Sequence, residues 1–413
     1  MQVAIFGIGG VTRTFRQWPE RVLGERLVRL GHSVVAYGYH DPRSPHLKER
    51  SEEIGGIQVR RVSPRFWPAR SLRKEMARNL MPDVAHLMHP RNVLAFPATR
   101  LLRQWHVPRV FTWLGPFHDP YLVDDRESPL EAPPHYDRPI FSLRKLLRQL
   151  WQGQGLRDNL RNFALHWPLA QADLFLACSE HEARELTRLG MPQERIRVVP
   201  LWIEAEEIRA LPARPPEQLF SRPLILFIGQ LTRRKGADVL LEAIPGVLRR
   251  YPAASFAIVS HNPTGWPEIE QRALALGVRG ALHFLGQVSE EEKVALLRAC
   301  DVYVLPSRYE GFGLPLLEAM ACGAPIVASD VPVIHEILRD GENGLLVPRD
   351  DPQALAAALL RVLGDPVLRA RLVEGGERAL RERYDGERLI RQVVAAYEEA
   401  IAWVRKEGGS RDG

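Results

Sequence analysis

Two glutamates bracket the stretch Glu310-Gly-Phe-Gly-Leu-Pro-Leu-Leu-Glu318, with seven residues between them. Gly311-Phe312-Gly313 favours an exposed turn. Leu314–Ala321 is helix-forming, and Pro315 suits the start of a helix. The apolar run Val302–Leu305 before it reads as a buried strand. Strand, glycine loop and helix together aim several backbone N–H groups at one point, with the positive end of a helix dipole behind them. That arrangement is an anion site. Glu310 lies in the loop and Glu318 about one turn into the helix, on the order of 10 Å apart. The spacing suits a phosphorylated sugar held at both ends.

A second stretch, Gly229-Gln230-Leu231-Thr232-Arg233-Arg234-Lys235-Gly236, follows another predicted strand. It lacks the GxxxxGK[ST] pattern but sets three cations at a strand's carboxyl end, where a diphosphate needs them. Gly7-Ile8-Gly9-Gly10 follows the first strand, but Thr12 stands where a dinucleotide fingerprint needs glycine. Gly9 and Gly10 then make either a tight turn or one wall of a substrate cleft. His118 also follows a strand; alone, such a histidine is as readily structural as functional. His86 and His89 read as structural. HxH, HExxH, CxxC and GxSxG patterns are missing from the sequence, so no tight metal site and no nucleophile elbow is expected. Cys178, Cys300 and Cys322 are widely spaced in apolar context and read as small buried residues of a reducing compartment.

The elements that must position these groups alternate in kind. A chain of 413 residues, 45% hydrophobic and 26% charged, should fold as about two domains. The formal charge of +6 does not by itself call for nucleic acid. No apolar run is long enough for a transmembrane helix, and no signal peptide is read at the N-terminus, so a cytoplasmic protein is expected. Strands are expected at Gln2–Phe6, Ser33–Tyr37, Ile57–Val62, Val84–Leu87, Arg109–Thr112, Leu174–Ala177 and Ile196–Val199, with an amphipathic helix at Glu20–Leu30. A second series is expected at Leu224–Ile228, Ser255–Val259, Leu282–Leu285, Val302–Leu305, Ile326–Ser329 and Leu345–Val347. Helices are expected at Ala237–Arg250 and Glu290–Ala299. This is α/β grammar: two doubly wound, Rossmann-like domains facing a cleft. The boundaries read as residues 1–202, a linker or hinge at 203–222, a second domain at 223–385, and a final helix and tail over 386–413, with residues 408–413 unstructured. Two basic runs, Arg60–Arg78 and Arg138–Trp167, are either solvated helix faces or an amphipathic surface for an anionic membrane or a phosphorylated acceptor.

These motifs resemble a retaining glycosyltransferase of the GT-B architecture, specifically of glycosyltransferase family 4. Carrying the resemblance are Glu310–Glu318 with its flank Ala-Met-Ala-Cys-Gly-Ala-Pro, Gly229–Gly236, His283-Phe-Leu-Gly286, Pro306-Ser307 and Asn343-Gly-Leu-Leu-Val-Pro348. It is strong over roughly residues 175–385 and weaker before. It implies that the second domain binds a nucleotide sugar and the first an acceptor, with no cofactor and no nucleic-acid partner. It implies that Glu310 holds hydroxyls of the transferred sugar, Glu318 holds the ribose, and Lys235 neutralises the leaving diphosphate. Backbone at Phe312, Gly313 and Leu314 would meet sugar and diphosphate, Leu285 and Gly286 would lie near the base, and His118 beside the sugar. The final helix would cross back onto the first domain. The chain departs from the family in having Gln230 where arginine is usual, so Arg233 or Arg234 would supply the missing charge. Pro200-Leu-Trp-Ile-Glu204 stands in place of a usual Pro-Asn-Gly-Val-Asp. Two other readings fit the same donor site: a non-catalytic sugar-nucleotide-binding partner, and a GT-B sugar-nucleotide epimerase.

Overall fold

The computed structural model describes residues 1–7, 10–63, 68–89, 92, 94–113, 140–151, 155–212 and 220–409. These residues form two compact units. One comprises the described residues up to Trp202 together with the C-terminal helix Gly386–Gly409; the other is Ile203–Asp385.

The first unit is built on eight strands: β1 (Gln2–Phe6), β2 (Ser33–Tyr39), β3 (Ser51–Ile54), β4 (Ile57–Val62), β5 (Val84–Met88), β6 (Arg109–Trp113), β7 (Leu174–Ala177) and β8 (Ile196–Val198). Their order is β3-β4-β2-β1-β5-β6-β7-β8, and all pairings are parallel except β3 with β4. The central strands are apolar on both faces because helices cover both. The helix Pro19–Arg29 and the C-terminal helix enclose one core layer around Leu27, Ile57, Leu389 and Tyr397. The helices Pro68–Met76 and Ala95–Gln104 contribute to the other, around Leu72, Leu102 and Phe111. The predicted strands appear within one or two residues. The exception is β3, whose Ser-Glu-Glu-Ile sequence has no apolar alternation; it forms because Gly55-Gly56 turns the chain back against β4.

The second unit carries β9 (Leu224–Ile228), β10 (Ser255–Val259), β11 (Leu282–Gly286), β12 (Val302–Leu305), β13 (Ile326–Ser329) and β14 (Leu345–Val347), in the order β11-β10-β9-β12-β13-β14, all parallel. The order reverses between β9 and β12, which is the switch point where doubly wound sheets bind ligands. Part of the stretch read as a linker is ordered helix, Ala205–Ala210. Arg298 Nη2 donates to the Arg209 carbonyl at 2.7 Å and to that of Ile208 at 3.3 Å, binding this helix to the second unit.

The C-terminal helix packs on β5, β6 and β7. His86 in β5 bonds the Tyr397 hydroxyl of this helix at 2.6 Å through Nδ1 and the Thr112 hydroxyl at 2.5 Å through Nε2. Complete burial drives the His86 pKa down to about 3, so the ring is neutral. That is the structural role expected of it. The expectation of an unstructured tail over 408–413 is corrected for its first two residues, since the helix runs to Gly409, anchored to the sheet by the apolar stripe Leu389, Ile390, Val393, Ala396, Tyr397 and Ala400; residues 410–413 lie outside the described residues.

Candidate functional site

Most candidate residues of the second unit gather where β9 and β12 end side by side. β12 pairs with β9 through Val302–Ile225 and Tyr303–Leu226. Parallel neighbours bring their carboxyl ends to the same edge, so residues 229–236 and 306–318 meet although far apart in sequence.

The cation stretch closes as a single 3-10 turn, Arg233–Lys235, ending on Gly236 at φ 69°. Glycine is required there twice over. The backbone is left-handed, and a Cβ would lie 1.9 Å from the Pro306 carbonyl oxygen. The turn therefore presses directly onto the loop after β12.

That contact seats Lys235 on Glu310. Lys235 Nζ donates to the two carboxylate oxygens at 2.7 and 2.9 Å, and Ser307 Oγ donates to Oε1 at 2.6 Å. Arg234 stands 4.0 Å from Oε2. Burial would raise the Glu310 pKa, but the charges of Lys235 and then Arg234, with hydrogen bonds from Lys235 and Ser307, hold it below the ordinary carboxylate value. Glu310 is thus an ionised, acceptor-only group in a largely water-excluded loop, suited to take hydrogen bonds from hydroxyls.

The helix Leu314–Ala321 starts at Gly313, whose φ of 108° only glycine adopts readily, and no side chain caps it. Phe312 is buried, its ring edge-on to Tyr384 with centroids 6.1 Å apart. The bend between Gly311 and Gly313 is thereby anchored from behind. One turn on, Glu318 accepts from Lys293 Nζ at 2.9 Å, and Lys293 also meets Glu290 at 2.9 Å. Burial lowers the Lys293 pKa, but the Glu318 and Glu290 charges outweigh it and leave the pKa raised. Lys293 comes from the helix Glu290–Ala299, which begins with a capping box between Ser289 and Glu292.

Sequence reasoning missed Lys293 and Arg308. Arg308 is buried and donates to both carboxylate oxygens of Asp238, at 2.8 and 2.7 Å, to Asp350 at 2.5 Å and to the Arg233 carbonyl at 2.6 Å. The signal available was an arginine two residues before Glu310 and three past the end of an apolar strand; the turn at Gly311-Phe312-Gly313, expected to be exposed, is largely buried.

Other predicted residues are placed as follows. Gln230 is half-buried in the loop leading to the cation turn. Leu285 and Gly286 end β11, where the register with β10 shifts. Nearby, Trp266 stacks on Phe284 at 4.5 Å between centroids. Gly10 has φ 62° and faces Gly38. His118 and Gly9 lie outside the described residues. In the first basic run, Arg61 is structural: it is buried and donates to the Val11 carbonyl at 2.7 Å and to Glu52 at 2.6 Å. Among the described residues, no group of three or more His, Cys, Asp or Glu side chains is placed to hold a metal ion, and no helix is long and apolar enough to cross a membrane.

Comparison with known proteins adds to this geometry. Residues 8–207 match the family model "Glycosyltransferase Family 4", and residues 214–379 match "Glycosyl transferases group 1". Over 176 residues the chain is 43% identical to a phosphatidyl-myo-inositol mannosyltransferase of Mycobacterium leprae, covering 42% of this chain and 46% of that one. Over 248 residues it is 36% identical to a D-inositol 3-phosphate glycosyltransferase of Acidothermus cellulolyticus, covering 57% and 55%. These matches span about half the length of the curated relatives. Among solved structures, sucrose-phosphate synthase from Thermosynechococcus elongatus superposes with a TM-score of 0.71 at 23% identity, covering 97% of this chain and 99% of that one. Anabaena HepE in complex with UDP-glucose gives 0.68 at 16%, covering 97% and 100%. At such identities the likeness is one of fold.

Proposed function

This chain belongs to glycosyltransferase family 4 and has the GT-B fold, and on that premise we propose that it moves a sugar from a nucleoside diphosphate sugar to an acceptor hydroxyl, with retention at the anomeric carbon. The observation that carries this reading is the Lys235–Glu310 pair, at 2.7 Å, seated where β9 and β12 end together. A cation for phosphate and an ionised acceptor for sugar hydroxyls stand in one place. Carboxylates alone would suit glycoside hydrolysis; cations beside them favour a phosphate-linked donor.

In the proposed complex Glu310 accepts hydrogen bonds from the transferred sugar, and Glu318, one turn along the helix, takes the ribose hydroxyls. Lys235, with Arg233 or Arg234, meets the negative charge that grows on the diphosphate as the glycosidic bond breaks. The uncapped N-terminus of the helix Leu314–Ala321 adds to that stabilisation. Gln230 offers a hydrogen bond but no charge. His118 is assigned the place beside the sugar, and Gly9 and Gly10 a wall of the acceptor site. No residue is assigned as covalent nucleophile, so the acceptor hydroxyl attacks on the face the diphosphate leaves, with the leaving phosphate as its base. No cofactor or tight metal is assigned. HepE was solved with UDP-glucose, which supports testing a uridine donor first. The relatives named for phosphatidyl-myo-inositol and D-inositol 3-phosphate support an inositol-bearing acceptor.

The test is a thermal-shift panel of UDP-, GDP- and ADP-sugars, followed by product analysis with D-inositol 3-phosphate and phosphatidylinositol as acceptors. A donor-specific shift and a linkage that keeps the donor's anomeric configuration are expected. Stabilisation without transfer or donor hydrolysis would support the non-catalytic binder instead. A changed sugar nucleotide formed from donor alone would support the epimerase.

A further inference from the structure

The helix Leu143–Trp151 has two apolar faces. Leu146 and Leu150 turn inward onto a small satellite core with Ile140, Phe96, Phe163 and Trp167. Leu143, Leu147 and Trp151, spaced four apart on a second stripe, are 61%, 64% and 90% exposed. The neighbouring helix Leu156–Ala170 adds Leu156 and Leu160, also exposed. Isolated exposed apolar side chains need no explanation, but three along one helical stripe, with two more on the helix packed beside it, set this face apart. Arg144, Lys145 and Arg148 are exposed too and fall on the flank of the stripe away from Leu146 and Leu150. The helix Leu143–Trp151 contains no acid.

We infer that this face docks onto an anionic lipid bilayer, with Leu143, Leu147 and Trp151 entering the headgroup boundary and the three cations meeting lipid phosphates. The charge decides the occupant. Pairing this face with a second copy would crowd like charges around the apolar contact, whereas an anionic surface complements them. A tryptophan at the end of the stripe suits the interface, where an apolar ring body and a polar N–H are both accommodated. In the basic run Arg60–Arg78, Arg61 is consumed by internal hydrogen bonds. The inference goes beyond the sugar-transfer reading and does not rest on it, because lipid binding is measured with no donor present.

The experiment is co-sedimentation of the full chain with phosphatidylcholine vesicles, with and without about one third phosphatidylglycerol. Binding is expected only with the anionic lipid, falling as salt rises. Leu147→Glu/Trp151→Glu and, separately, Arg144→Glu/Arg148→Glu should each weaken it at least about tenfold while leaving the thermal midpoint unchanged. Leu274→Glu, at an exposed leucine of the second unit, should bind like wild type. Absence of wild-type binding, undiminished binding by either double variant, or conversion of a lipid-free oligomer to monomer by Leu147→Glu/Trp151→Glu would overturn the assignment.

Discussion

Arg308 and Asp238, 70 positions apart, meet as a two-pronged ion pair at 2.8 and 2.7 Å, and both are largely buried. The same guanidinium donates to the Arg233 carbonyl, and the Arg308 backbone N–H to that of Arg234 at 2.8 Å. Arg308 therefore ties the Glu310 loop to the turn that carries Lys235. Arg308→Met leaves a buried carboxylate uncompensated and should cost on the order of 3 kcal/mol. Adding Asp238→Leu should recover part of the thermal midpoint but not donor affinity, because the turn carbonyls stay unheld. Wild-type donor binding in the double variant would remove Arg308 from the positioning role.

Lys235→Met should lower kcat on the order of a hundredfold or more while the protein stays folded. It also changes a titration. With Lys235 present the Glu310 pKa is depressed, so the pair contributes stability above the ordinary carboxylate range and loses it as pH falls through the depressed value. Without Lys235 the largest of the effects opposing burial is gone, and the Glu310 pKa should rise. Carboxylate titration followed by NMR should show the upward move; an unmoved value would mean that Lys235 does not govern Glu310.

Lys293, held between Glu290 and Glu318, tests the proposed split of the donor site. Lys293→Met leaves Glu290 and Glu318 without their shared cation and should weaken binding of a nucleoside diphosphate lacking sugar about tenfold, with Lys293→Arg largely sparing it. Glu310→Gln should leave that affinity unchanged and weaken only the sugar-bearing donor. Titration calorimetry with both ligands distinguishes the two. Equal losses for both variants would refute the division of labour between Glu310 and Glu318.

The Tyr303 hydroxyl is fully buried in β12 and finds no hydrogen-bond partner among the described residues. Tyr303→Phe removes an unsatisfied group while keeping the ring, so it should raise stability by about 1 kcal/mol in denaturant unfolding. Destabilisation would point to an ordered water on that hydroxyl.

His86 imposes a pH dependence on the first unit. Its pKa is about 3 when folded against an ordinary 6.5, so between those values the unfolded chain binds the extra proton. Stability should fall as pH drops through that window, by roughly 1 kcal/mol per pH unit. His86→Gln should flatten this slope in thermal unfolding. A slope unchanged by the substitution would mean that His86 is not the titrating group.

Much of the site was legible locally. The strand Val302–Leu305 and the helix Leu314–Ala321 fall at the bounds read from sequence, because strand, turn and helix signals each act within a few residues. Charge and glycine pattern likewise marked Lys235 and Gly236. Contacts across the sheet were not legible. Lys235 reaches Glu310 over 75 positions because the sheet order sets β9 beside β12, and no local signal encodes a neighbour that distant. Lys293 reaches Glu318 for a similar reason: the facing of two helices decides it. Burial also sorted the cations. Arg60–Arg78 and Arg138–Trp167 looked alike as basic runs, yet folding turned Arg61 inward and left Arg144, Lys145 and Arg148 in solvent beside an apolar stripe. Residue type and spacing thus determined a strand, a glycine loop and a helix flanked by two acids. Tertiary structure decided which cations meet those acids, since an ion pair depends on distance in space and the chain sets distance only between near neighbours.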